Sequence, residues 1–85
     1  SSKLASSGDY SKLAVDGNDS VGAGIGRNNI IKGKKGNWIT LAEWKYNKII
    51  SRYIPVIVLS AQIDGKKLKE DTWYKVENKE WVEVK

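Results

Sequence analysis

The stretch that decides the fold reads SKLASSGDY (residues 2–10), SKLAVDGND (11–19) and SVGAGIGRN (20–28). Three columns hold through three consecutive units: Ser2, Ser11 and Ser20; Ala5, Ala14 and Ala23; Gly8, Gly17 and Gly26. A low-complexity Ser/Gly linker has no reason to keep three columns in phase. A stack of short coils does, because equivalent positions of neighbouring coils then lie about 4.8 Å apart. Small side chains let such a backbone turn tightly and pack a thin interior. Leu4 and Leu13 read as the larger apolar plugs, with Ile25 or Ile30 continuing that role. Gly8, Gly17 and Gly26, flanked by Asp9, Asn18 and Asn28, read as turns, since Gly and Asn tolerate positive φ. Two units make one coil of a flattened solenoid.

A fourth unit, Asn29–Asn37, keeps the length but puts Lys32 in the alanine column and Lys35 in the glycine column. The repeat thus decays toward its end, as a terminal unit does. Ser1 occupies the column of Tyr10 and Asp19, and the chain contains no methionine. Further units are therefore expected upstream.

The second half reads as a small β-structure. Trp38, Thr40 and Ala42 alternate with Ile39 and Leu41 over Asn37–Glu43, which favours a strand. Leu41–Ile50 fits helical spacing only in part. Ile49–Ile63 holds the most β-branched run, and its Pro55 suits an edge strand. Asp64-Gly65 reads as a hairpin turn between SAQI and KKLK. Asn78-Lys79 reads as a second, between TWYKVE and EWVEV. A short sheet bearing Trp38, Trp44, Trp73 and Trp81 would cover the open end of the coils, burying about 150–250 Å² per ring.

The phrases SSGDYSKLAVDGNDSVGAGIG (6–26), GNWITLAEW (36–44) and IDGKKLKEDTWYKVENKEWVEV (63–84) resemble a group of gut-bacterial and phage-type proteins. Those proteins carry long runs of SSGDYSKLA-like units followed by a short C-terminal β segment. The resemblance implies a repeat architecture and a mobile-element setting, and it assigns no chemistry. DSVGAGIGRN is also similar to head repeats of trimeric surface adhesins, as an analogy of packing with a different spacing.

Composition narrows the function classes. The 85 residues contain neither cysteine nor histidine, which removes disulfides, thiol chemistry, the usual zinc sites and every His-based catalytic arrangement. The longest apolar run, Ile54–Leu59, is far short of the roughly 20 residues a membrane-spanning helix needs. Charge is uneven. Residues 27–52 hold seven cations (Arg27, Lys32, Lys34, Lys35, Lys45, Lys48 and Arg52) against Glu43 alone. Trp38, Trp44 and Tyr46 lie among them, and cations with flat rings suit phosphates and bases. Lys32, Lys34, Lys35, Trp38, Trp44, Lys45, Tyr46, Lys48 and Arg52 are accordingly the candidate binding residues. A solvated basic face, or one for an acidic protein partner, is the plainer reading of the same residues.

Other motifs fail their tests. Asp16-Gly17-Asn18-Asp19-Ser20 opens like a calcium loop. Val21 stands where the turn glycine belongs, and Arg27 where the bidentate glutamate belongs. Gly22–Arg27 lacks the last glycine of GxGxxG, and Lys34 and Lys35 complete no phosphate loop. Ser2/Lys3 and Ser11/Lys12 are neighbours on a strand and point to opposite faces, against a Ser-Lys dyad. No enzyme activity, cofactor or metal is expected.

The reading is an all-β chain: a short β-solenoid of nonapeptide repeats over 1–36, capped by a small antiparallel sheet over 37–85. Its expected role is a repeat scaffold presenting a flat face, with Ser2, Lys3, Ser11, Lys12 and Ser20, for protein contact or self-association. The alternative is a small basic phage-type effector that binds nucleic acid or a host nucleic-acid enzyme.

Overall fold

The computed structural model describes residues 3–84, and among them the secondary structure is entirely β. The strands are β1 Lys3–Ser6, β2 Lys12–Val15, β3 Val21–Gly24, β4 Ile30–Gly33, β5 Trp38–Asn47, β6 Arg52–Gln62, β7 Tyr74–Glu77 and β8 Glu80–Glu83. They form two four-stranded sheets, ordered β1-β3-β5-β6 (sheet A) and β2-β4-β7-β8 (sheet B). Consecutive repeat strands alternate between the sheets, so each strand pairs with the next but one. β1 lies parallel to β3 with Lys3 opposite Val21, and β2 parallel to β4 with Lys12 opposite Ile30.

That eighteen-residue register explains which columns face in. Within each unit the third and fifth positions point between the sheets: Leu13 and Val15, Gly22 and Gly24, Ile31 and Gly33. The second and fourth point out, so Ala14 and Ala23 are half-buried on the outer faces and do not line the interior as expected. Ile25 is 51% exposed and Ile30 points outward; Ile31 continues the plug position of Leu13. Leu4, on the edge strand β1, is 40% exposed. Gly22 makes room for the larger neighbours of its layer, because a Cβ there would collide with Val15 and touch Ile31.

The turns fall at 8–10, 17–19 and 26–28 as expected, but their positive φ does not sit on the glycines. The positive φ falls on the last residue of each unit: Tyr10 (58°), Asp19 (52°) and Asn28 (56°). Gly26 serves close approach instead. A Cβ at Gly26 would strike the Gly8 carbonyl of the turn stacked on it. The unit after Asn29 is one residue shorter than expected. Asn37 takes the corner, Gly36 supplies φ 95°, and β3 pairs with β5 at a spacing of seventeen, Val21 opposite Trp38.

The corners are tied by side-chain amides and hydroxyls. The Ser11 N–H donates to Asn29 Oδ1 at 2.7 Å, and the Ser20 N–H donates to Asn37 Oδ1 at 3.0 Å. Asn37 Nδ2 also donates to the Val15 carbonyl at 3.1 Å, and both Asn37 and Ser20 are buried. These bonds satisfy backbone groups where the chain leaves one sheet for the other.

Beyond β5 the pairing turns antiparallel. β5 and β6 form a long hairpin with a bulge at Glu43/Trp44, where Pro55 sits opposite Trp44 on the edge strand. Asp64-Gly65 makes no hairpin. Residues 64–73 cross irregularly from sheet A to sheet B, because Asp64 Oδ1 accepts the N–H groups of Lys66 and Leu68 and folds the chain over Leu68. Asn78 (φ 52°) and Lys79 (φ 64°) do form the expected turn, between β7 and β8. The core is Leu13, Val15, Ile31, Ile39, Leu41, Ile63, Leu68 and Tyr74. None of the four tryptophans belongs to it. Trp81 packs against it half-buried, and Trp38 is 48% exposed. Trp38 instead lies on the outer face of sheet A, Trp73 under the Lys32 ammonium and Trp44 against the Ile25 carbonyl.

Candidate interaction surface

Three surfaces differ sharply in chemistry. The first is the outer face of sheet A. Alternation along β3, β5 and β6 turns Val21, Ala23, Trp38, Thr40, Ala42, Val58 and Ser60 outward. Thr40 and Ser60 share a hydrogen bond of 2.8 Å between their hydroxyls, which fixes them on one face. Lys3, at the β1 edge, is the charged side chain opposite Val21. The outer face of sheet B instead carries Lys12, Lys32, Lys75, Glu77 and Glu80. Lys75 and Glu77 pair at 2.8 Å, and the Lys32 ammonium lies 4.9 Å from the centre of the Trp73 ring.

The second surface is the far part of the β5–β6 hairpin. β3 stops pairing at Leu41, so Ala42–Asn47 and Arg52–Val58 continue as a two-stranded arm. Its base is braced from two sides. Glu43, buried, accepts the backbone N–H of Asn78 at 2.6 Å on one carboxylate oxygen and that of Lys79 at 3.0 Å on the other. Two amide donors replace the water that a buried carboxylate loses. Trp44 Nε1 donates to the Ile25 carbonyl at 2.9 Å. Higher up, Arg27 covers the Tyr53 ring at 4.1 Å, and Tyr46 meets the same ring edge-on with centroids 5.3 Å apart. Asn47 Oδ1 accepts the N–H groups of Ile49 and Ile50 and shapes the tip.

The third is a groove of about 440 Å³ at the foot of the arm, walled by Arg27, Asn29, Glu43, Trp44, Tyr53 and Lys75. Its charged groups are already engaged. Arg27 forks onto Asp9, with Nη2 at 2.9 Å and Nε at 3.2 Å from Oδ2. The Arg27 backbone N–H and then its guanidinium hold the Asp9 carboxyl below the usual carboxylate range. The same pairing, from Asp9, raises the Arg27 guanidinium.

The candidate binding residues do not form one patch. Lys45, Tyr46, Lys48 and Arg52 gather on the arm, with Trp44 at its base. Lys34 and Lys35 lie in the β4–β5 turn. Lys34 Nζ is 2.9 Å from Asp71, whose carboxylate raises the ammonium's pKa, and the Lys35 N–H donates to Glu70 at 3.2 Å. Lys32 lies on the outer face of sheet B and Trp38 on that of sheet A. Acids distant in sequence thus reach into the basic block, and its charge count alone could not foretell this.

The expected flat face of Ser2, Lys3, Ser11, Lys12 and Ser20 is not formed by the described members. Ser2 lies outside the described residues. Lys3 and Lys12 belong to different sheets, and Ser20 is buried at a corner. Nine residues carry the chain across to the opposite sheet, and only eighteen bring it back. Sequence reading also missed Glu43, Tyr53, Ile49 and Ile50. The acid-free run Trp44–Ile63 was the available signal for the last three. Among the described residues no group of three or more acids, Cys or His is placed to hold a metal, and no helix is long and apolar enough to cross a membrane. In comparisons with known proteins, no family model, no curated protein and no solved structure matches this chain.

Proposed function

We propose that the chain is a non-enzymatic interaction module: the end of a β-solenoid with two nonapeptides per coil, closed by an antiparallel cap, and offering a flat face for protein contact or self-association. The observation that carries this reading is the register. β1–β3 and β2–β4 pair in parallel at eighteen residues, which is two repeat units, and the Asp9–Arg27 pair spans that same interval. Repeats that lie on one another in this way build faces of stacked side chains. The contact face in this reading is the outer side of sheet A, where Trp38 (48% exposed), Val21 (48%) and Val58 (56%) surround small neutral residues. Sheets pack through faces of that kind, and a row of charges would oppose it.

Solution mass measured over a range of concentrations tests the proposal. Association is expected to grow with concentration and to be blocked by Trp38→Glu with Val58→Lys. A chain that stays monomeric throughout and draws no binding protein through that face counts against it. Adding oligonucleotides checks the rival reading, a small basic effector of nucleic acid. That reading expects a complex whose affinity falls steeply with salt, and a flatter slope once Lys32, Lys34 and Lys35 are replaced.

A further inference from the structure

We propose that the tip of the β5–β6 arm docks onto an anionic lipid surface, with Ile49 and Ile50 entering the headgroup–acyl boundary. Four observations meet at this tip. Ile49 is 93% exposed and Ile50 47% exposed, at the apex of a projecting hairpin and not on a flat face. Their backbone N–H groups are both satisfied by Asn47 Oδ1, so the apex carries fewer unmet donors into an apolar medium. One rung back, Tyr46 and Tyr53 lie directly opposite each other, 52% and 46% exposed, as amphipathic rings do at a lipid–water interface. Lys45, Lys48 and Arg52 flank them, and from Trp44 to Ile63 there is no acidic residue.

The order along the arm is the Ile49–Ile50 apex with Lys48, then Arg52, then the paired tyrosines, with Lys45 one rung further back. From the acyl chains outward a bilayer presents the glycerol–ester layer and then the phosphates, so an apolar apex meets the acyl boundary while long Lys and Arg side chains reach back to phosphate. The Asn47–Arg52 rung lies one strand residue, about 3.3 Å, beyond the tyrosines, and the turn 48–51 stands beyond that, so the apex reaches the boundary before the rings do. The cations here form no ion pair among those found in the described residues, unlike Arg27 and Lys34. Anionic phosphate is the complement they lack. Nucleic acid would use the same cations but would gain little from two aliphatic side chains at the apex, so lipid is the occupant favoured.

The test is co-sedimentation of the full chain with phosphatidylcholine vesicles, with and without phosphatidylglycerol. Binding is expected only to the anionic vesicles and should weaken as salt rises. Ile49→Ser with Ile50→Ser should reduce partitioning about tenfold or more. Replacing Lys45, Lys48 and Arg52 by Gln should cost about fivefold per charge at low ionic strength. The chain has no cysteine, so Ile49→Cys gives a unique thiol for an environment-sensitive fluorophore, whose emission should shift blue on binding. Absence of binding to anionic vesicles at low salt overturns the proposal. So does a serine pair that binds as well as the parent, or a fluorophore that stays in water while the protein binds. An oligonucleotide complex formed without vesicle binding, and indifferent to the serine pair, assigns the arm to nucleic acid instead.

Discussion

Ile39 and Ile49 are the same residue ten positions apart, and they live under opposite rules. Ile39 is wholly buried in the stacked base, whereas Ile49, at the end of the arm, is 93% exposed. In the base the inner strands β3, β4 and β5 are held between neighbours at fixed register, and their inward positions are buried. The arm beyond Leu41 has a single pairing partner on each strand, and its tip residues 48–51 are all exposed. The difference teaches that stability and surface chemistry are kept on separate parts of this chain. One hairpin belongs to both. Its near half, Ile39 and Leu41, is core, and Glu43 and Trp44 are the joint.

Mutation can break that contrast where it is strongest. Ile39→Ala should destabilise the chain by about 2–5 kcal/mol, while Ile49→Ala should stay within about 0.5 kcal/mol of the parent. Denaturant titration of both variants measures this, and equal losses would place the arm within the core. Next in size is Asn37→Ala. It removes the Oδ1 that accepts from the Ser20 N–H and the amide that donates to the Val15 carbonyl at a buried corner, and should cost about 1–3 kcal/mol by the same titration.

The smallest effect concerns the stacked turns. Asp9 is held below its ordinary carboxylate range by Arg27, so its contribution is present above the unfolded value of about 3.9. It is lost as pH falls through the folded value. Asp9→Asn should therefore lower thermal stability at neutral pH and match the parent once the pH lies below the folded value. Melting curves over an acid series check this. A gap that persists at the acid end would point to steric loss at the turn and not to charge.

Much of the architecture is readable without coordinates. The nine-residue phase, the strand at Trp38, the edge placement of Pro55 and the Asn78-Lys79 turn all follow from local chemistry. The errors share a cause. Glycine and asparagine were read as the positive-φ residues; Asn28 takes that conformation, but so do Tyr10 and Asp19, while Gly26 lies where one turn presses on the carbonyl of another. The tryptophans were read as buried over the open coil end, yet only Trp81 packs against the core and Trp38 is 48% exposed. Asp64-Gly65 was read as a hairpin, yet the Asp64 carboxylate found two amides nearer by.

What the sequence determined by itself is periodic: strand, turn, strand, with the same side chains returning every nine residues. Period and propensity are properties of neighbours along the chain, and they survive without knowledge of the fold. Only the tertiary structure decided which face each column serves, which lysines find acids, and how far β5 and β6 run beyond their sheet. Those outcomes depend on what lies opposite at eighteen residues or more. Register, and not composition, assigns a side chain to the core, the rim or the open surface.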